Sequence, residues 1–256
     1  MMHLVNEYRL NELLKCPLRT YMPRRTKQNL DDFQCADQIA TALHEAIHFL
    51  FAVKHRKGVL SAGISNSPKG TMFEYGGLSY GITKAMDFNE GLPVIESCVA
   101  TAIFELRLSM ATNLDPLPLE NIEPLIESEL ASAVHACVSL QWPSPDFDEK
   151  AAIDVVDRVT AQMRDQNVLD RWWWLIRTVA IALLECRDKG LGWVSQEHTQ
   201  IIYKFIAQYL QNEKVFPDKL GASMNQDLSW LSWDVNIQRR RNRETYEKEV
   251  ALGIRG

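Results

Sequence analysis

The chain has 256 residues, 46 % of them hydrophobic and 24 % charged, which is enough apolar material for one large core or two smaller ones. A formal net charge of −5 excludes a uniformly basic nucleic-acid coat and leaves only local basic patches for such contacts. No stretch of about 18 residues is free of charges, so no membrane span is expected. The opening MMHLVNEYRL also lacks the apolar core of a signal peptide, and five scattered cysteines without CxxC spacing read as reduced thiols of a cytoplasmic protein.

In chain order, residues 5–15 have the spacing of a short helix, stopped by Cys16-Pro17. A basic, irregular stretch follows, and the apolar-periodic segment 36–53 predicts a helix. Gly58, Gly63, Ser65, Ser67, Pro68 and Gly70 mark a long loop. The aromatic, glycine-bearing stretch 71–88 reads as a β-hairpin, and Asn89-Glu90-Gly91 as a turn. Ile95, Val99, Ala102, Leu106 and Met110 form a helical stripe over 93–110, although PVIESCV would also suit a buried strand. Helices are predicted near 119–140, 148–165, 168–188 and 195–213, with prolines between the first of them. A polar tail with Trp230, Trp233 and the run Arg239-Arg240-Arg241-Asn242-Arg243 ends the chain. The expected fold is α+β and predominantly α-helical. An N-terminal α/β region (1–112) carries a small sheet or hairpin, a helical domain (113–222) follows, and a polar, basic tail spans 223–256.

The chemistry centres on IATALHEAIHFLF, residues 39–51. Side chains at i and i+4 share one helical face, so His44 and His48 can hold one metal ion, with Glu45 where a general base would stand. TALHEAIHFL resembles the HExxH helix of gluzincin metallopeptidases. That resemblance implies a zinc ion held by His44, His48 and a downstream glutamate, here Glu90 of Asn89-Glu90-Gly91, with Glu45 as the base.

A second resemblance starts from Leu10, Leu13, Leu14, Cys16, Pro17, Arg19 and Tyr21. With His44 about 30 residues later, Met86-Asp87-Phe88, and Val94-Ile95-Glu96, this order resembles the PD-(D/E)XK nuclease superfamily, in particular its RecB-like and AddB-like members. The resemblance implies that His44, Asp87 and Glu96 hold magnesium or manganese and that the partner is DNA or another nucleic acid. Ala40 stands where such families have glycine, and Cys98 where they have the lysine of Glu-x-Lys. Cys16 would be the first ligand of an iron–sulfur cluster in some relatives, but the later cysteines are missing and no cluster is expected.

Lys15, Arg19, Arg24 and Arg25 near Cys16, together with Arg239, Arg240 and Arg241, are the candidate phosphate contacts. Each feature also has a plainer reading. An i, i+4 histidine pair occurs in ordinary amphipathic helices, arginine runs are commonly solvated, and Trp172-Trp173-Trp174 suits a core and interface. The expected function is therefore a RecB-like nuclease-fold protein that cuts or only binds nucleic acid, within a multi-subunit assembly in the second case. The alternatives are a zinc metallopeptidase and a helical interaction subunit without a site.

Overall fold

The computed structural model describes residues 5–18, 32–56, 59–65, 75–80, 88–111, 123–139, 149–188, 193–194, 196–212 and 223–254. The protein is predominantly helical, with one small sheet. Helix α1 (Glu7–Leu13) is capped by Asn6, whose side chain accepts from the Arg9 backbone N–H at 2.8 Å. Its Leu10 and Leu13 are buried, and Arg9 pairs with Glu185 across the molecule.

Helix α2 (Asp32–Lys54) is the axis of the fold. Ile39, Leu43, Ile47, Phe49, Leu50 and Phe51 are all fully buried, as are Ala36, Ala40, Ala42 and Ala46. A helix that is apolar nearly all round must be covered on every side, and the alanines let its neighbours approach closely. The neighbours are the sheet and helices that follow. Strand β1 (Val59–Ser65) lies at the centre of a three-stranded sheet, between β2 (Tyr75–Tyr80) and the two-residue β3 (Trp193–Val194). Both pairings are antiparallel, with Ala62 opposite Leu78 on one side and Val194 on the other. Val59, Ala62 and Ile64 of β1 are buried.

Helix α3 (Phe88–Met110) forms where the sequence left helix and strand open. It packs against α2 and against α4 (Glu123–Ser139). Helix α5 (Glu149–Asp165) turns into α6 (Val168–Asp188) through Asn167, in a left-handed conformation at φ 47° that asparagine tolerates better than most residues. Helix α6 carries the tryptophan triplet inward. Trp173 is fully buried and stacks on Phe104, with centroids 6.4 Å apart. Helix α7 (Gln196–Gln211) follows β3 and covers the sheet.

The sequence reading needs three corrections. The loop expected from the glycines and serines of 58–70 is in large part the central strand, because Val59, Ala62 and Ile64 give it a buried face. Within the hairpin expected at 71–88, whose residues 71–74 and 81–87 lie outside the described ones, 75–80 form β2 and pair with the preceding β1. The tail expected from 223 is helix α8 (Met224–Ala251), which packs on α2 and α3. One apolar cluster runs from Val5 to Val235 across both expected domain boundaries. Among the described residues no helix is long and apolar enough to cross a membrane.

Candidate metal centre

Several of the polar side chains in and around this core gather on three helices. On α2 they are His44, Glu45 and His48. On α3 they are Ser97, Thr101, Glu105 and Ser109, four residues apart and each at most 2 % exposed, so they line one face of the helix. On α8 Ser232, Asn236 and Arg239 are buried, with Asp234 and Gln238 beside them in the chain. The columns face one another, and α4 adds Glu129.

The centre of this network is a triangle. His44 Nε2 lies 3.2 Å from His48 Nε2 and 3.2 Å from Glu129 Oε1, and His48 Nε2 lies 3.6 Å from the same oxygen. Zinc bonds of about 2.0–2.1 Å in a tetrahedron put neighbouring ligand atoms about 3.3 Å apart, so the three atoms already have the spacing of one tetrahedral face. Among the described residues these three form the group able to hold a metal ion.

Each ligand is held from behind. His44 Nδ1–H donates to Glu105 Oε1 at 3.1 Å, and Glu105 Oε2 accepts from Arg239 Nη1 at 2.8 Å. His48 Nδ1 shares a hydrogen bond with Ser97 Oγ at 2.6 Å. The second oxygen of Glu129 accepts from the Thr101 hydroxyl at 3.1 Å. Partners on both Nδ1 atoms are what a metal-loaded pair of imidazoles would need, because a cation would then take the two Nε2 atoms in place of the proton shared with Glu129.

The electrostatics fit a cation. Burial penalises the charge on Glu105, but Arg239 and His44 hold its carboxyl down to about 2. Burial acts against Glu129 in the same way, and hydrogen bonds from His44 and His48 hold it far below the usual carboxylate range. Burial pushes Glu45 up, while the two imidazoles pull it back. In the metal-free centre the proton on His44 sits among Glu45, Glu105 and Glu129, and a cation would replace that proton. Burial also pushes the Cys98 thiol up, and the adjacent Glu129 adds to the rise, so no reactive thiolate sits here.

The structure brings His44, Glu45 and His48 together as the HExxH spacing requires. The acid that joins them is Glu129 of α4. Glu90 lies in the first turn of α3, its side chain outside the described residues, and Asp87 also lies outside them. Glu96 is on a helix and is engaged elsewhere, with Lys54 Nζ at 2.5 Å and His55 Nε2 at 2.6 Å. These partners follow His44 by at least ten residues, about 15 Å along a helix. Arg239, expected as a phosphate contact, is 4 % exposed and bound to Glu105, because α8 turns that side chain into the core. Arg240 is half-buried, while Arg241 and Lys15 are exposed; Arg19, Arg24 and Arg25 lie outside the described residues.

Glu129 carries no mark in the sequence that sets it apart from Glu120, Glu123 and Glu127. Glu105 does carry one: the four-residue spacing of Ser97, Thr101, Glu105 and Ser109 in an otherwise apolar helix is visible in the sequence and signals a buried polar face. A cleft of about 820 Å³ between α3, α5, α6 and α8, lined by Ile103, Leu106, Arg107, Met163 and Leu228, shares no residue with the centre. No protein-family model matches the chain, and neither a curated protein nor a solved structure does.

Proposed function

We propose that the protein is a zinc-dependent hydrolase of the metallopeptidase type, with His44, His48 and Glu129 as ligands and Glu45 as general base. The observation that carries this reading is the triangle of ligand atoms at 3.2, 3.2 and 3.6 Å, each atom backed by its own hydrogen-bonding partner. A bound zinc ion would polarise a substrate carbonyl and acidify a water in its open fourth position. Glu45 follows His44 directly, is 7 % exposed, and has its carboxyl raised by burial, which moves a base toward neutral working pH. Glu105 and Ser97 fix the two imidazoles, and Thr101 fixes Glu129.

The nuclease reading would need Glu96 beside His44, and Glu96 is taken up by Lys54 and His55. A non-catalytic interaction subunit remains the outcome if the cluster is only an ion-pair network, with protonated His44 between its two carboxylates.

Metal analysis after dialysis against zinc and then against metal-free buffer tests the proposal. The intact chain is expected to retain about one zinc per molecule, as a three-ligand protein site does. His48→Ala and Glu129→Ala are expected to retain none, and Glu45→Gln to keep the metal but lose hydrolysis of an unfolded protein substrate. Metal-free wild-type protein would end this reading. Metal-free protein that binds DNA with a steep loss of affinity in salt would restore the nucleic-acid reading.

A further inference from the structure

The chain that fixes His44 does not end at Glu105. Arg239 comes from α8, 134 residues away in sequence, and donates from Nη1 to Glu105 Oε2 at 2.8 Å, while Oε1 of the same carboxylate accepts from His44 at 3.1 Å. Glu105 is 2 % and Arg239 4 % exposed. One turn before Arg239, Asn236 Nδ2 donates to the Ser109 carbonyl of α3 at 3.4 Å, so α8 is also fastened to the helix that carries Glu105. Among the described residues, the partner behind His48 is the neutral Ser97 hydroxyl.

Resting on the metal-centre reading above, we propose that Arg239 is a positioning residue for the cation site, acting through Glu105 on His44, so that the C-terminal helix completes a centre whose ligands lie on α2 and α4. With both oxygens engaged from opposite sides, the carboxylate cannot swing away from Nδ1. The orientation of the His44 ring is thereby fixed, and its Nε2 stays aimed at His48 and Glu129. Arginine suits the role because its guanidinium is always charged and planar, and a buried carboxylate without a counter-charge would be strongly disfavoured. The arginine run thus contributes one residue to the interior, and that residue acts on a ligand rather than on a substrate.

The test is zinc affinity of the full chain, measured by competition with a chromophoric chelator, together with the visible bands of the cobalt-substituted protein. Arg239→Met and Glu105→Gln are each expected to keep a stoichiometry of about one but to bind about 10- to 100-fold more weakly, with shifted cobalt bands. Arg239→Lys, which keeps a charge, should recover part of the loss. Because the two residues act in series, the double variant should bind no more weakly than the weaker single variant. If Arg239→Met does not fold, the paired variant Arg239→Gln with Glu105→Gln removes both charges and leaves a hydrogen-bonding pair; it too should bind more weakly. Wild-type affinity in Arg239→Met, or in the paired variant where Arg239→Met does not fold, would overturn the proposal alone, as would fully additive losses. A wild-type chain that takes up no cation would overturn it together with the metal reading.

Discussion

A cation entering the centre has to displace a proton from His44. Burial alone would lower the pKa of this imidazole, but hydrogen bonds to Glu105 and Glu129 and the charges of Glu105 and Glu45 raise it from 6.5 to about 10 in the metal-free protein. Because the folded value lies above the unfolded one, protonated His44 stabilises the metal-free fold below about pH 6.5. That contribution is lost as the pH climbs through about 10. Zinc binding should therefore strengthen with rising pH across this window and release about one proton from His44. Calorimetric titration in buffers of different ionisation enthalpy measures that proton directly, and a buffer-independent heat would contradict it. Glu105 behaves oppositely. Its carboxyl is held down to about 2, so its contribution is present above the ordinary carboxylate range and disappears as the pH falls toward 2. Glu45→Gln keeps the side chain's shape and removes the base, so hydrolysis should fall by about 10²- to 10⁴-fold with zinc content unchanged; a variant that retains full rate would remove Glu45 from the mechanism.

Helix α8 joins the core through a short apolar stripe, Met224, Leu228, Leu231 and Val235, and through polar anchors beside it. Among the polar anchors, Asp227 Oδ2 accepts from Trp173 Nε1 at 2.7 Å and lies 3.9 Å from Arg177 Nη1, while Asn225 of α8 shares the Arg107 guanidinium with Asp170 of α6. Truncating Asp227 to alanine strands the indole N–H of a fully buried tryptophan, and an unsatisfied buried donor costs about 1–3 kcal/mol. Urea denaturation of Asp227→Ala should show that loss, whereas Arg243→Ala, which removes an exposed i, i+4 pair with Glu247, should stay within about 0.5 kcal/mol of wild type. Equal effects would mean that α8 is not anchored through Asp227. The polar column on α8 also accounts for the expectation of a solvated tail. Ser232, Asn236 and Arg239 look like surface residues until the matching column of α3 faces them.

For the whole molecule, the single apolar cluster joining elements from α1 to α8 predicts one cooperative unfolding transition. Residues 1–112 made alone, without α6 and α8 against α2, should show no cooperative transition by circular dichroism; a folded fragment would restore the boundary at 112. Zinc at about a hundredfold over its dissociation constant adds about 2.7 kcal/mol, roughly 5–10 °C in Tm for a chain of this size, and that gain should vanish in His48→Ala. Most helices were legible from periodicity, because a 3.6-residue apolar stripe is a local property of the sequence. So was the His44–His48 pair, because i and i+4 share a face whatever surrounds the helix. The strand at Val59–Ser65 was masked by its small residues, which resemble a loop until a neighbouring strand pairs with them on each side. The sequence by itself determined the helical class and one half of the candidate centre. The four-residue spacing on α3 marked Glu105 as buried, but only the tertiary structure joined Glu105, Glu129 and Arg239 to the histidines, because contacts between residues 61 to 134 positions apart depend on how helices pack.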